Sequence, residues 1–280
     1  MCYQKSTALF TVVLFCTVGF SQQVYIIPTH TFQPYKVLDG STANKSSWYK
    51  PDTARMNFKM VIDSFEISSQ VTFKQYKLYL ESIKKDSSYS FYLSQLPDST
   101  IASKDHYADY ISNKKYDDFA VAGISWEAAM NYCKWRTIQD NKTIDLEFIY
   151  RLPKLGEWLA AYNFLETNNR KNDFSKNFSD WTMSTYVEAY VGFNSVFAYD
   201  HYLPLPREND HPRVKRKIVA GNSYLFQTDL LMHSFATFTF NGYRQVAFRL
   251  VKEEIKNSTD KKPTYKDVLN YWNLQNEIVK

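Results

Sequence analysis

Apolar residues repeat at helical spacing in the segment 73–84, and polar residues fill the positions between them. Four apolar side chains share one face of such a helix: Phe73, Tyr76, Leu80 and Ile83. Thr72 and Gln75 have the spacing of a capping box, in which each side chain binds a backbone N–H at the helix start. The pattern therefore predicts an amphipathic helix that packs inward.

Two further helices are predicted downstream. Ser125 is a typical N-cap residue and Glu127 lies in the favourable first turn. The inner face of this second helix consists of Ala129, Tyr132 and Cys133. A third helix begins near Pro153, which is tolerated in a first turn.

The hydrophobic period changes near the end of the chain, where apolar residues alternate with polar or small ones on both sides of Asn241-Gly242. This dipeptide suits a tight hairpin turn. The long stretches 85–117 and 165–215 have weak periodicity and indicate ordered loops. Helices, a hairpin and many loops together predict a loop-rich α+β domain.

The first 21 residues have the features of a secretory signal peptide, with Lys5 near the start, an apolar stretch over 7–20 and small residues before a cleavage position. The alternatives are an uncleaved anchor and a lipidated Cys16, although Phe15 stands where lipidation requires a small residue. The predicted layout is a signal peptide over 1–21, a lead-in over 22–57, the main domain over 58–252, a linker over 253–263 and a C-terminal helix over 264–280.

Composition narrows the classes of function. The net charge of +5 over 280 residues is small and scattered, which argues against nucleic-acid binding. The 7 Gly lie too far apart for a phosphate-binding loop. Cleavage would leave Cys133 as the remaining cysteine, so no disulfide can form within the mature chain. We expect an exported protein of a bacterial periplasm or cell surface.

Six motifs follow one another in the order of a known family. They are SFEISSQVTFKQYKLYL (64–80), DFAVAGISWEAAMNYCKW (118–135), YRLPKLGEW (150–158), NFSDWT (177–182), KIVAGNSY (217–224) and VAFRLV (246–251). Together they resemble the formylglycine-generating, sulfatase-modifying-factor family over residues 58–252. The resemblance implies a C-type-lectin-like α+β domain with little regular structure.

The resemblance also implies where catalysis would take place. Oxidases of this family carry a cysteine pair shortly after a Gly-Gly-Ser motif, and the two thiolates bind copper and activate oxygen. Cu(I) selects such soft ligands. Here the corresponding stretch NSYLFQTDLL (222–231) has Phe226 and Leu231 at those positions. No catalytic residue is therefore assigned, and Cys133 is interpreted as a small buried apolar residue.

Several motif residues are interpreted as structural: Ser125, Trp126, Arg151, Glu157, Trp158 and Arg249. Arg151 and Glu157 are expected to pair, because a partly buried charge needs a partner. Ser125 is the expected helix cap, and the two tryptophans are expected to fill the core. Arg249 is expected to belong to an internal ion pair.

The sequence offers two candidate binding sites. Asp180 and Asn177 of NFSDWT could hold a structural calcium ion, as the corresponding motif does in the family. A basic cluster, Arg213, Lys215, Arg216 and Lys217, could bind acidic polymers or glycans, or it could protect an edge strand from aggregation. The five His have no metal-ligand spacing, so an iron site is unsupported.

These observations favour a non-catalytic exported domain, a pseudoenzyme, that contacts envelope proteins and associates with the membrane only indirectly. The segment KKYDDFAVAGISW (114–126) resembles the gliding-motility and type IX secretion members of the family. Two alternatives stay open: a formylglycine-generating-type oxidase with a relocated metal site, and a lectin-like module that binds glycans through aromatic loops.

Overall fold

The computed structural model describes residues 22–33, 57, 59–99, 103–141, 148–169, 174, 178–185, 217–221, 231–235, 242–243 and 245–254. The helices among them are α1 (Phe73–Asp86), α2 (Tyr89–Ser94), α3 (Lys104–Ser112), a 3-10 turn (Lys114–Tyr116), α4 (Trp126–Asp140) and α5 (Leu155–Thr167). No helix in these ranges is long and apolar enough to cross a membrane.

The strands of the described ranges form three sheets. They are β1 (Val24–Ile27), β2 (His30–Phe32), β3 (Met60–Ile62), β4 (Phe65–Ser68), β5 (Phe148–Arg151), β6 (Ser179–Thr185), β7 (Lys217–Ala220), β8 (Leu231–Phe235), β9 (Val246–Ala247) and β10 (Val251–Glu254). One sheet has the order β1-β4-β10-β5, another has β8-β7-β6-β9, and β2 pairs with β3. Helices and mainly antiparallel strands confirm the α+β class.

The first four strands form one bent antiparallel ribbon. Its pairs run without a register shift: Val24 with Ser68, Ile27 with Phe65, His30 with Ile62, and Phe32 with Met60. At the bend, the N–H of Ser64 donates to the hydroxyl of Thr29 over 2.9 Å. The lead-in residues 22–33 thus pack on the main domain, and β10 continues two residues into the predicted linker.

The helix starts follow the local signals in the sequence. The capping box of α1 is confirmed, because the N–H of Gln75 donates to Thr72 Oγ1 over 3.3 Å and the N–H of Thr72 donates to Gln75 Oε1 over 2.8 Å. Ser125 caps α4 by accepting the N–H of Ala128 over 3.0 Å. α5 begins at Leu155, two residues after Pro153, with Lys154 as its N-cap.

Two apolar clusters form the core. The first joins α1 and α4 through stacked and edge-on rings, with the centroids of Tyr76 and Tyr132 5.6 Å apart and both rings against Phe248. The second lies between α5 and the bent ribbon, with Trp158, Leu159 and Ile27 fully buried. Burial of these side chains is the main favourable contribution to the folded state.

Some predicted elements differ from the structure. The loop prediction over 85–117 is wrong in part, since α2, α3 and the 3-10 turn lie there. Short, weakly amphipathic helices with no buried residue leave little hydrophobic period to detect. In the predicted hairpin, Val246–Ala247 pairs in parallel with β6, and residues 236–241 lie outside the described residues. The segments 1–21 and 264–280 also lie outside them.

Candidate functional site

Asp180 is at the centre of a buried polar network. Strand β6 carries it into the core, where its side chain is almost fully buried. Its Oδ1 accepts a hydrogen bond from Gln70 Nε2 over 2.9 Å. Its Oδ2 accepts one from the indole N–H of Trp158 over 2.9 Å and one from Arg249 Nε over 2.6 Å. Both carboxylate oxygens are therefore occupied by N–H donors.

Arg249 extends this network to other segments. Its Nη1 donates to the carbonyl of Ser68 over 3.3 Å, and its Nη2 donates to the carbonyl of Phe174. The guanidinium carbon lies 3.9 Å from the centroid of the Phe174 ring, within the range of a cation–π contact. The Arg249 side chain thus links β4, β6 and Phe174. All of its described contacts are made in the interior of the protein.

Arg151 and Glu157 form a second buried pair. Two parallel hydrogen bonds join them, from Nη1 to Oε2 over 2.7 Å and from Nη2 to Oε1 over 2.6 Å. Burial alone would lower the pKa of Arg151 and raise that of Glu157, but the attraction between the opposite charges outweighs it, so the pKa of Arg151 is raised and that of Glu157 is lowered. Glu253 also pairs with Arg151, and Glu157 accepts the N–H of Lys154 at the start of α5.

Trp126 and Lys217 meet at the start of α4. The Trp126 indole N–H donates to the carbonyl of Thr182 over 2.8 Å, and Lys217 Nζ lies 4.2 Å from the centroid of the same indole ring. Lys217 is 2% exposed, and burial lowers its pKa to about 7. Lys217 therefore cannot belong to an exposed basic surface. The other members of the predicted cluster, Arg213, Lys215 and Arg216, lie outside the described residues.

By the sequence resemblance, the copper ligands of the family's oxidases would correspond to Phe226 and Leu231, and neither side chain can bind copper. Leu231 begins β8 and pairs with Ala220 of β7, and a leucine offers no ligand atom. Phe226 lies outside the described residues, but phenylalanine likewise has no metal-binding group. Cys133 is fully buried on α4, and burial raises the pKa of its thiol above the ordinary range. Phe226, Leu231 and the buried Cys133 therefore provide no thiolate pair for copper.

The contacts of Asp180 bear directly on the predicted calcium site. A calcium ion needs six to eight oxygen ligands. The three donors on Asp180 include the cationic Arg249, which would repel a metal ion at that carboxylate. Across the described ranges, no group of three His, Cys, Asp or Glu side chains is arranged to hold a metal. Asn177 lies outside the described residues.

Two glutamines that make internal hydrogen bonds carry no sequence signal. Gln70 joins β6 to the segment before α1, donating to both Asp180 and the carbonyl of Phe178. Gln95 is buried after α2 and accepts from Tyr76 through its backbone carbonyl and from Tyr79 through Oε1, over 2.8 and 2.9 Å. Single polar residues in loops become partners only through the tertiary fold, so periodicity does not mark them.

The fold and the site define an α+β domain whose motif residues are used in buried ion pairs and caps. The family model described as "Sulfatase-modifying factor enzyme 1-like domain" matches residues 33–172, half of the chain. The chain belongs to this family. A structure titled "Crystal Structure of CarF" is similar, with a TM-score of 0.44 and 15% identity over 83% of this chain and 98% of that chain. No curated protein matches.

Proposed function

We propose that this chain is a non-catalytic member of its family, exported to the bacterial envelope, where it acts as a scaffold that contacts other proteins. The observation that carries the proposal is the replacement of the oxidase cysteine pair by Phe226 and Leu231. The copper-dependent oxidation catalysed in this family requires two soft ligands at one place. The remaining thiol of the exported form, Cys133, cannot supply both.

The state of Cys133 supports this proposal. Nucleophilic and metal-binding cysteines act as thiolates and occupy partly exposed, electropositive sites. Cys133 is instead 0% exposed, and its pKa is raised by burial. Its thiol is therefore held in the neutral, inaccessible form.

The contacts of the polar motif residues also support the non-catalytic proposal. Asp180, Arg249, Arg151 and Glu157 use their charged groups on one another or on neighbouring backbone. Such contacts preserve the family fold without presenting these groups to a substrate. At the surface, Tyr89 and Phe119 are 75% and 58% exposed, and exposed aromatic side chains are enriched where proteins bind partners.

A role in gliding motility or type IX secretion is the specific form of this proposal. It is supported by the likeness of residues 114–126 to the members that serve those systems. Deletion of the gene in its host, with colony spreading and secreted protein measured, tests this form. Restoration by a Cys133→Ala variant is expected, because a scaffold needs no thiol.

The catalytic alternative is tested on purified protein. Copper and iron are measured by elemental analysis, and a cysteine-containing sulfatase peptide is monitored by mass spectrometry for conversion to the aldehyde, with oxygen uptake recorded. We expect no stoichiometric metal and no conversion, with wild-type protein and Cys133→Ala indistinguishable. Bound metal together with aldehyde formation would refute the scaffold proposal and support a relocated oxidase site.

Glycan binding is a second candidate function. The exposed ring of Tyr89 favours it, since sugars stack on accessible aromatic faces. A glycan array with wild-type protein and Tyr89→Ala tests it, with Val61→Ala as a control at another exposed apolar position. Binding that is lost in Tyr89→Ala and kept in the control would assign a lectin-like role.

A further inference from the structure

Within the described residues, the outer edge of β1 is an unpaired sheet edge. β1 is the terminal strand of the order β1-β4-β10-β5, and no other strand of the described ranges pairs with its second edge. Natural proteins usually protect such edges with Lys, Pro or a bulge. The segment Val24–Ile27 contains none of these, and Ile26 is 46% exposed.

One hydrogen bond determines which backbone groups face outward. The carbonyl of Gln23 accepts the N–H of Ser69 over 2.7 Å, so the backbone of Gln23 faces β4. In an antiparallel ladder the backbone groups of successive residues point to opposite edges. Val24 and Ile26 therefore direct their N–H and C=O groups away from β4, to the outer edge.

Pro28 limits this edge on one side. It has no N–H, and its carbonyl accepts a hydrogen bond from His30 Nδ1 over 2.9 Å. On the other side, the side-chain amide of Gln22 donates to Ser68 Oγ and to the carbonyl of Ser69, over 3.1 and 2.8 Å, so the Gln22 side chain bends toward β4. The outward groups of Val24 and Ile26 lie between these two residues.

We propose that Val24–Ile27 is an interface between two copies of this chain, whose β1 strands pair antiparallel about a two-fold axis at Tyr25. In this register Val24 lies opposite Ile26 of the second copy, and each residue exchanges an N–H and a C=O with the other. The outward N–H and C=O groups of Val24 and Ile26 then all find partners. A shift of two residues would place Val24 opposite Pro28, which has no N–H to donate.

The side chains also fit this pairing. Directly opposite residues of an antiparallel pair lie on the same face, so the exposed Ile26 is covered by Val24 of the second copy. Residues 22–29 carry no charged side chain, so two identical strands approach without repulsion. The contact is small compared with a standard interface, and we expect a weak dimer with a dissociation constant in roughly the micromolar range. This interface does not depend on whether the domain is catalytic.

Sedimentation velocity over a concentration series tests the proposal on the mature protein, isolated after processing in its host. We expect a reversible dimer in the wild type. Ile26→Lys introduces a charge at the edge, and Val24→Pro removes an outward N–H without touching the β1–β4 ladder. Each is expected to raise the dissociation constant by about tenfold or more. Val61→Lys is the matched control, because Val61 is 65% exposed on β3 and lies outside this edge.

The register is tested with cysteine pairs. Opposite residues in a hydrogen-bonded pair have Cα atoms about 5.5 Å apart, within disulfide range. Val24→Cys/Ile26→Cys is therefore expected to form a covalent dimer under mild oxidation, whereas Ile26→Cys alone is not. The buried Cys133 gives little background.

Several results would overturn the proposal. They are a monomer throughout the concentration series, a dimer that withstands both Ile26→Lys and Val24→Pro, equal weakening by Val61→Lys, or efficient cross-linking of Ile26→Cys alone. Circular dichroism establishes that each variant is folded. If Ile26→Lys fails to fold, Val24→Pro carries the test.

Discussion

Asp180 and Arg249 form an ion pair in the interior of the protein, with 2.6 Å between Arg249 Nε and Asp180 Oδ2. The arginine side chain is 2% exposed and the aspartate 1%. The two residues come from motifs 69 positions apart in the chain. Because neither charge can reach water, each depends on the other and on the surrounding donors and acceptors.

Removal of one partner is therefore expected to be strongly destabilising. We expect Arg249→Met to lower the free energy of unfolding by about 3–5 kcal/mol, since it leaves a buried carboxylate without its cation. Urea denaturation measures the change. The double variant Arg249→Met/Asp180→Asn should lose less than the sum of the single variants.

The control for this pair is Lys77→Met. Lys77 and Asp117 are 2.7 Å apart, but their side chains are 24% and 21% exposed, so the loss should be at most about 1 kcal/mol. Equal effects of Arg249→Met and Lys77→Met would contradict the central role of the buried pair.

The buried Lys217 is expected to make the stability of the protein depend on pH. Burial lowers its pKa from 10.5 to about 7 in the folded protein. Between pH 7 and 10 the unfolded chain holds more protons at this lysine, so its contribution makes the protein more stable as the pH rises. Below pH 7 the burial cost is fully present. We expect the stability of Lys217→Met relative to the wild type to be greatest at pH 7 and below and to fall toward pH 10.

Urea denaturation of the wild type and Lys217→Met between pH 6 and 10 measures this effect. Lys74→Met serves as a control, because Lys74 is exposed on α1 and its replacement should change little at any pH. If Lys217→Met destabilises the protein equally at every pH, then Lys217 is held as a stabilising cation and the expected dependence is absent.

Local signals in the sequence predicted the helix starts well. Thr72 with Gln75 and the Ser125 cap depend on contacts within one turn, so the residues concerned are neighbours in the chain. The helices α2 and α3 were not predicted, because they have no buried residue and hence no strong hydrophobic period.

The polar network could be predicted only in part. Partners for Arg151 and Arg249 were expected from the rule that buried charges are paired, and Glu157 is close enough in sequence to be recognised. The links of Asp180 to Gln70 and of Tyr79 to Gln95 connect distant segments, so spacing along the chain does not reveal them. Lys217 lies in a basic run that indicated exposure, but its position on β7 buries it.

Gly242 is expected to tolerate no side chain. A Cβ atom there would overlap the backbone carbonyl of Gly123, which also accepts the N–H of Asp98 over 2.8 Å. We expect Gly242→Ala to destabilise the protein by about 1–3 kcal/mol, because backbone must shift to make room. Thermal denaturation measures the loss.

Gly156→Ala provides the comparison for Gly242. The nearest atom to a Cβ at Gly156 is the sulfur of Met60 at 2.9 Å, the end of a flexible side chain, and alanine favours the α5 helix. A small change is expected there. A larger loss in Gly156→Ala than in Gly242→Ala would show that the close backbone approach is not decisive.

Cys133 is expected to be unreactive in the folded protein. Its side chain is fully buried and its pKa is raised, so both access and thiolate formation are suppressed. Labelling with a thiol reagent at pH 8, located by mass spectrometry, should modify Cys133 only after denaturant is added. Ser90→Cys in a Cys133→Ala background gives the positive control, since Ser90 is exposed on α2. Equal labelling of the two sites in the native state would contradict the buried position.

Calcium is expected to leave the stability unchanged if Asp180 keeps its present partners. Gln70, Trp158 and Arg249 occupy both carboxylate oxygens, and a metal ion would have to displace them against the charge of Arg249. We expect the melting temperature to be the same with EDTA and with millimolar calcium. A rise of several degrees with calcium that disappears in Asp180→Asn would establish the calcium site and require a rearranged network. A rise that persists in Asp180→Asn would place the ion at other residues, because the variant lacks the carboxylate that a site at this position needs.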